Sequence, residues 1–419
     1  MNLPDNENKT KGHHVNRREL LALMTAGASG VFLPWHGVQA KSSNLLGYLR
    51  TNWSRDPYSF GSYSYFAKTA HRDDRTTLGA SIDRRIFFAG EAVNPTQNST
   101  VHAAFESGIL TAQDVEQNTS GSIAIIGAGM SGLTAANALA KSGRTVTIFE
   151  ARESIGGRIR TVDALGQSLD LGASWIHGVR NNPISKLATL AGEKTVATDE
   201  TYIVRGKKGR IIHDEDIPDW LENIITIQHN AGADTDQLNL QAYMEEPEYG
   251  GEEVIFPKGY KSILPALKGD YQVLTSHKVS AISHDTSGVT ITANGKAHQF
   301  DVVIVTLPLG VLKQGAVQFI PPLPQEKRKA ISRLGMGTLD KVYLLYDRPF
   351  WDEDISWIIT GENGLQQGYF NQWLNLYKYL GTPIILAFNG GTPALQLSSL
   401  SDNAIIEMAQ QTLQRAYPD

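Results

Sequence analysis

Gly127, Gly129 and Gly132 lie in the run IAIIGAGMSG, Ile123–Gly132, and have the spacing of a turn that binds a dinucleotide. Each glycine answers a separate need. The first permits a tight turn, the second lets the backbone approach a pyrophosphate, and the third allows a helix to pack closely on a strand. The helix that follows points its N-terminal N–H groups at the phosphates. Three glycines alone are a weak signal, because glycine-rich turns are common. Their surroundings strengthen it: an apolar strand pattern precedes, and a helical pattern follows over Ser131–Ser142. Glu150 then ends the next strand pattern, Thr145–Glu150, about twenty residues on, where its carboxylate can hold a pair of ribose hydroxyls.

A strand, a turn and a helix must therefore position these groups, and the rest of the chain must supply a sheet around them. Arg85–Ala89 reads as a compact strand, and Val101–Asp114 has helical spacing. Gln117–Ser122 has the composition of a linker. Pro183–Tyr243 reads as mostly helical with polar loops. Strand patterns return over Val254–Leu267, Lys278–Ala293, Val302–Leu307, Ile331–Leu345 and Ile384–Asn389, and Asp402–Ala416 is an amphipathic helix. The sequence contains no internal repeat.

A chain of 419 residues can hold two domains with cores of their own. The net charge of −5 is too small to point to nucleic acid or anionic lipid as a partner, and its sign suits a cationic substrate. There is no cysteine, which excludes disulfides, thiolate metal sites, a cysteine nucleophile and a cysteinyl link to a cofactor. No metal centre is expected. Near the start, Asn16-Arg17-Arg18-Glu19-Leu20-Leu21 carries a twin-arginine pair, followed by a weakly apolar run over Leu20–Pro34 and by Val38-Gln39-Ala40, which fits a small-residue cleavage site. This reads as a twin-arginine export signal, implying a periplasmic or exported protein, with a cytoplasmic one as the alternative. The run is too short and too rich in small residues for stable insertion in a membrane.

The sequence after Glu150 narrows the nucleotide. Glu150-Ala151-Arg152 leads into Gly156-Gly157-Arg158 and then Asp170-Leu171-Gly172-Ala173-Ser174-Trp175-Ile176-His177-Gly178. This extension resembles that of the flavin-dependent amine oxidases, the monoamine and polyamine oxidase family. Phe256–Tyr260, Lys278–Ile282, Thr306–Leu312 with Pro321–Pro324, and Leu334–Val342 resemble further segments of the same family, so the likeness runs from about Leu45 to Asp419. The resemblance implies an α/β fold: a Rossmann-like FAD-binding domain beside a substrate domain of mixed sheet and helices. It also implies oxidation of a primary or secondary amine to an imine, with O2 reduced to hydrogen peroxide.

Carried over position by position, the resemblance assigns FAD contacts to Gly127, Gly129, Gly132, Glu150, Arg152, Gly157, Arg158, Gly172, Ala173, Ser174, Trp175 and, at the adenine end, Val279. Lys341 matches the family's active-site lysine, a cation that holds a water at flavin N5. His177 resembles the active-site histidine of spermine and acetylpolyamine oxidases. Tyr63 matches an aromatic wall over the flavin. Glu91 matches the acidic residue at the ribityl or pyrophosphate region, and Thr100 and Val101 match the helix start that meets the pyrimidine ring.

Two substitutions and one gap depart from the pattern. Ser62 stands where covalent monoamine oxidases have the flavin-linking cysteine, so non-covalent FAD is expected. Ser99 replaces the second cage tyrosine of that branch. Between Pro183 and Pro257 lie 73 residues, roughly half the number expected of polyamine oxidases, so the substrate cap is expected to be short. The rival readings are an L-amino-acid oxidase, for which no carboxylate-clamping arginine is identifiable, and a catalytically impaired flavin-binding relative.

The order of the motifs is itself unusual. WSRDPYSFGSYSY from Trp53, RIFFAGEA from Arg85 and STVHAAFESG from Ser99 close the family's chain but here precede the nucleotide turn. A circular permutation accounts for this most simply, with a domain-swapped dimer as the alternative. The expected division is a signal or disordered region over 1–40, a displaced segment over 41–116 that completes both domains, and a linker over 117–122. FAD-binding parts follow over 123–182 and 257–312, and substrate-domain parts over 183–256 and 313–419.

Overall fold

The computed structural model describes residues 43–97, 99–245, 247 and 249–418. The twin-arginine pair and the Val38–Ala40 site lie outside the described residues.

Five parallel strands form the nucleotide-binding sheet, in the order Gln272–Leu274, Val146–Phe149, Ile123–Ile126, Val302–Val305, Ile86–Phe88. Ile123–Ile126 (IAII) and Val302–Val305 (VVIV) are buried at every position. Such unbroken apolar runs are what a parallel strand covered on both faces requires, and their β-branched side chains suit a pleated surface. The chain then turns through Gly127, at φ +106°, into the helix Met130–Lys141. A methyl group on Gly132 would lie 2.1 Å from the Gly127 carbonyl oxygen, so the turn requires glycine there.

The second large sheet has six strands, in the order Leu45–Arg50, Leu339–Tyr346, Ile384–Gly390, Gln372–Asn375, Trp357–Thr360, Tyr202–Arg205. All pairs are antiparallel except the last. The helix Asp402–Ala416 covers one face, burying Ile405, Ile406, Ala409 and Leu413 against Val342, Leu344 and Trp373. Smaller sheets lie beside these two. Lys296–Phe300, Val289–Ala293, Val279–His284 and Gln318–Ile320 form one, and Trp175–Ile176, Glu253–Ile255 and Val196–Thr198 form another. The architecture is α/β, a Rossmann-like unit beside a mixed sheet with helices.

The stretch before the nucleotide turn contributes an edge strand to each large sheet, Leu45–Arg50 to one and Ile86–Phe88 to the other. It also contributes the helix Val101–Asn118, whose N-cap Thr100 side chain accepts the Ala103 N–H at 3.2 Å. This helix lies against Met130–Lys141. Gly108 sets how closely: a Cβ there would sit 2.5 Å from the Ser131 carbonyl oxygen and 3.1 Å from Thr134 Cβ.

Three stretches differ from the sequence pattern. Pro183–Tyr243 is helical at Pro183–Ala191, Asp219–Asn223 and Leu240–Met244, but includes the strands Val196–Thr198 and Tyr202–Arg205. Those strands pair with Glu253–Ile255 and Trp357–Thr360, partners too remote for local periodicity to reveal. Over Val254–Leu267 the strand stops at Ile255, and a tight helix, Tyr260–Leu267, follows Gly259 at φ +76°. Ile331–Leu345 begins at the end of the helix Gln325–Arg333 before its strands start.

The Gly108 contact yields a test. Leucine at this position recovers roughly 1 kcal/mol of helix propensity but collides with backbone that cannot turn aside, which costs about 1–3 kcal/mol or more. Gly108→Leu is therefore expected to lower unfolding free energy in urea by about 1–2 kcal/mol net. Unchanged or higher stability would mean that the two helices are not packed at this distance.

Candidate active site

A cavity of about 1550 Å³ is lined from both large sheets. Gly127, Gly129 and the start of the helix Met130–Lys141 form one wall. Glu150 follows the strand Val146–Phe149, and its carboxylate accepts the Ala128 N–H at 2.7 Å and the Arg152 N–H at 2.8 Å. This fixes the carboxylate beside the turn. Arg152 in turn reaches Asp56 at 2.8 Å and lies over the Tyr58 ring. Val279, the first residue of its strand, is buried in the same lining.

The second glycine-rich turn packs directly on the first. Gly156 N–H donates to the Ala128 carbonyl at 2.8 Å. Gly157, at φ +60°, would place a Cβ 3.3 Å from Gly129 Cα. A Cβ on Gly172 would come 1.7 Å from the Arg158 carbonyl oxygen, and Ala173 N–H donates to that same oxygen at 3.2 Å. Trp175 stacks on Trp357 at 6.0 Å and donates its indole N–H to Thr198 Oγ1 at 3.1 Å.

Glu91 is the electrostatic centre of this wall. Its carboxylate accepts from Arg158 at 2.9 Å, from Ser64 Oγ at 2.5 Å and from the Ser99 N–H at 3.1 Å. Burial alone would raise its pKa, but the positive charges of Arg158 and Arg75, with the Ser64 hydrogen bond, outweigh burial and hold it below the ordinary glutamate value. Thr100 and Val101 follow at the helix start and line the cavity.

Lys341 Nζ donates to the carbonyl oxygens of Asp170 at 2.9 Å and Gly172 at 2.7 Å, and to Ser174 Oγ at 2.6 Å. An ammonium has three N–H donors, so all three are engaged. Burial pushes the Lys341 ammonium below the ordinary lysine value, against the pull of the Asp170 charge. Burial likewise pushes the Asp170 carboxyl up, against Thr161, Lys341 and the Tyr260 N–H. Tyr63 lines the cavity and donates its hydroxyl to the His229 carbonyl at 2.6 Å. His177 stands at a more open part of the lining, its side chain 58% exposed and its Nδ1 2.7 Å from Glu253.

The residues singled out from the sequence thus line one cavity, apart from Gly132, which packs behind the turn. Ser62, at the position of the flavin-linking cysteine, exchanges hydrogen bonds with the Leu339 backbone. Sequence reasoning missed His229, Gln372, Phe388 and Trp357, which also line the cavity, and the carboxylates Glu200, Asp214, Glu215, Asp219 and Glu222. None of them lies in a recognisable motif. Among the described residues no cluster has the makings of a metal site, and no helix is long and apolar enough to cross a membrane.

The sequence profile of the flavin-containing amine oxidoreductases matches residues 32–116 and 230–419, and that of an NAD(P)-binding Rossmann-like domain matches 125–189. The chain belongs to the flavin-containing amine oxidoreductase family. Its cofactor is FAD, and its reaction is the oxidation of an amine. It is 28% identical to polyamine oxidase 4 of Oryza sativa subsp. japonica over 359 residues, 71% of this chain and 73% of that protein. It is also 28% identical to the probable polyamine oxidase 4 of Arabidopsis thaliana over 376 residues, 75% of each. Among solved structures, cyclohexylamine oxidase from Brevibacterium oxydans IH-35A shares the fold with a TM-score of 0.59 at 20% identity, over 71% of this chain and 81% of that one. Wild-type putrescine oxidase bound to putrescine aligns with a TM-score of 0.53 at 19% identity over the same shares.

The residues present fit FAD. Two helix N-termini, at Met130 and Val101, open on the cavity, and glycines keep the turns between them clear of side chains. Removing one partner of a buried ion pair is costly, typically about 3–5 kcal/mol. Arg158→Met is therefore expected to destabilise the fold by ~3 kcal/mol. A carboxylate with a lowered folded pKa stabilises above its unfolded value of about 4.3 and loses that contribution as pH falls through the folded value. Without Arg158 the folded value rises toward the unfolded one, so less stability is lost on acidification and the acid limb of the variant is shallower than that of wild type. Urea unfolding of both proteins between neutral pH and pH ~3.5 checks this, and coincident acid limbs would contradict it.

Proposed function

We propose that the chain oxidises a primary or secondary amine of the polyamine type to an imine, with O2 reduced to hydrogen peroxide and non-covalently held FAD. The observation that carries this reading is the lining of the cavity. It joins the glycine turns and Lys341 to the carboxylates Glu200, Asp214, Glu215, Asp219 and Glu222, which suit a substrate with more than one cationic nitrogen. FAD, when bound, supplies the acceptor for the hydride equivalent and passes its electrons to O2. Gly127, Gly129, Gly132 and the helix start would hold its pyrophosphate, Glu150 the ribose and Val279 the adenine end. Arg152, Gly157, Arg158, Gly172, Ala173, Ser174, Trp175, Glu91, Thr100 and Val101 would hold the remainder.

In this reading Tyr63 walls the substrate space, and His177 hydrogen-bonds a substrate nitrogen at its open side. Lys341 supplies fixed positive charge where oxygen is reduced. A water held by Lys341 takes the place of one of its three present acceptors, and the Ser174 hydroxyl is the one free to rotate away. Support for non-covalent FAD comes from Ser62, whose hydroxyl is spoken for by Leu339, and from the lack of cysteine.

The motif order is read as a circular permutation within one chain, in preference to a domain-swapped dimer. In support, Leu45 and Tyr417 pack against the same hydrophobic cluster, and Arg50 reaches Asp402 at 2.6 Å. The proposed division keeps 41–116 as a segment shared by both domains, 117–122 as a linker whose first two residues end the helix Val101–Asn118, 123–182 and 257–312 as FAD-binding parts, and 183–256 and 313–419 as substrate-domain parts. Export through the twin-arginine route is proposed from Arg17 and Arg18 alone.

Two tests follow from these roles. Spermine, putrescine and simple monoamines added without oxygen are expected to bleach the visible flavin absorbance, polyamines at the lowest concentrations, and acid precipitation should release free FAD to the supernatant. A flavin untouched by every amine would sink the reading, and flavin left in the pellet would sink the non-covalent part. Lys341→Met is expected to slow reoxidation of the reduced enzyme by O2 by roughly a hundredfold with FAD content unchanged. Stopped-flow traces identical to wild type would strip Lys341 of this role.

A further inference from the structure

The buried His229 and the half-buried Gln372 form a pair that the roles above do not use. His229 follows a π-helical turn, Ile224–Gln228, a geometry often found at functional sites. It is 4% exposed and lines the same cavity as Lys341 and Tyr63. Its Nδ1 lies 2.6 Å from Gln372 Oε1, and Gln372 also lines the cavity. An amide oxygen only accepts, so the hydrogen of this bond is on Nδ1.

The rest of the ring agrees. Nε2 is buried and has no partner among the described residues. A buried N–H without an acceptor is rarer than an acceptor left bare, so the tautomer with hydrogen on Nδ1 is the favoured one. Burial holds the imidazole down at about 4, with the Gln372 bond opposing it only in part, so the ring is neutral at neutral pH. The consequence falls on Gln372. Its oxygen is taken by His229, and its NH2 has no acceptor among the described residues.

Gln372 is paired across the sheet with Phe388, and Phe388 with Lys341. Residues directly opposite in antiparallel strands share a face. The three side chains therefore form one row along the cavity floor, with Gln372 about 10 Å from Lys341 at roughly 4.8 Å per strand.

We infer that Gln372 is a specificity-determining residue whose amide N–H donors read an uncharged acceptor on the substrate, a neutral amine nitrogen or an oxygen, and that His229 is the positioning residue that keeps the amide in this orientation. An ammonium has no lone pair for these N–H donors to meet, whereas it finds full negative charge at the carboxylates. The substrate is thus neutral where it crosses Gln372 and cationic where it meets Glu200, Asp214 and Glu222. This rests on the amine-oxidase reading, because only that reading makes the cavity a substrate site.

The test uses FAD-loaded enzyme and non-oxidisable probes of matched size: a tertiary alcohol, a non-oxidisable neutral amine with its amino group on a quaternary carbon, and a quaternary ammonium salt. Dissociation constants are read from perturbation of the flavin spectrum. The ratio of alcohol affinity to quaternary-ammonium affinity is expected to fall about tenfold in Gln372→Glu, which presents an anion. In His229→Leu it falls about threefold, because the freed amide can turn its oxygen inward. In a Gln372→Leu background, His229→Leu adds no further change, since it acts only through the amide. His229→Asn, which keeps a donor, restores most of the ratio. The amine probe follows the alcohol if it binds neutral and the quaternary salt if it binds as ammonium, which separates nitrogen from oxygen as the natural acceptor. Ratios unchanged in both single variants, with FAD content at wild-type level, would overturn the inference. Failure of every oxidisable amine to bleach wild-type flavin would instead overturn the underlying reading and leave the measured ratios standing.

Discussion

Glu91 is the interaction on which the cavity depends. One carboxylate gathers Arg158 from the second glycine turn, Ser64 from the strand beside Tyr63 and the Ser99 N–H at the start of the helix Val101–Asn118. These groups belong to stretches that are far apart in the chain. A buried carboxylate is tolerable only when charge and hydrogen bonds surround it. The environment that keeps Glu91 ionised therefore also fixes the distance between the two walls. Arg158 donates to the Ser62 carbonyl as well, so the same contact sets the approach of the Tyr63 segment.

That segment is part of a larger dependence. Residues before the nucleotide turn supply an edge strand to each large sheet and the helix that backs Met130–Lys141. Neither sheet closes its core without them: Ile86 and Phe88 belong to the cluster with Ile126 and Val303, and Leu45 packs on the cluster with Val342 and Trp373. Removing 45–118 would thus expose both cores and strip Glu91 from Arg158 together. Cofactor binding and folding of this protein are consequently coupled through the same residues.

Legibility in the sequence followed locality. The strand Ile123–Ile126 and the helix Asp402–Ala416 were readable to the residue because a short apolar run or a sustained period decides each by itself. The glycines, Glu150, Arg158 and Lys341 were readable because each stands in a run of recognisable type. Val196–Arg205 was not, since its strands exist only through pairing with chain that follows about 57 and 155 residues later. His229 and Gln372 left no signal either. Nothing in a polar helical stretch or in FNQWLNL says that the two side chains meet, because their contact depends on the register of Gln372 with Phe388.

The cations of the cavity show why that register matters. Lys341 holds its charge at a fixed point by donating to the backbone carbonyls of Asp170 and Gly172, so the charge cannot follow the substrate. Fixed charge needs no reorganisation when negative charge develops beside it. The same logic governs Gln372, whose amide oxygen is held by the His229 imidazole. Along one row of the sheet the protein thus sets a cation, an aromatic ring and an oriented amide at spacings that only strand pairing determines. A slip of one residue in Gln372–Asn375 would turn Trp373 into the cavity and bury Gln372 behind it. The packing of Trp373 against Phe370 and Leu344 in the core on the opposite face therefore does more than stabilise the sheet: it selects which side chain the substrate meets.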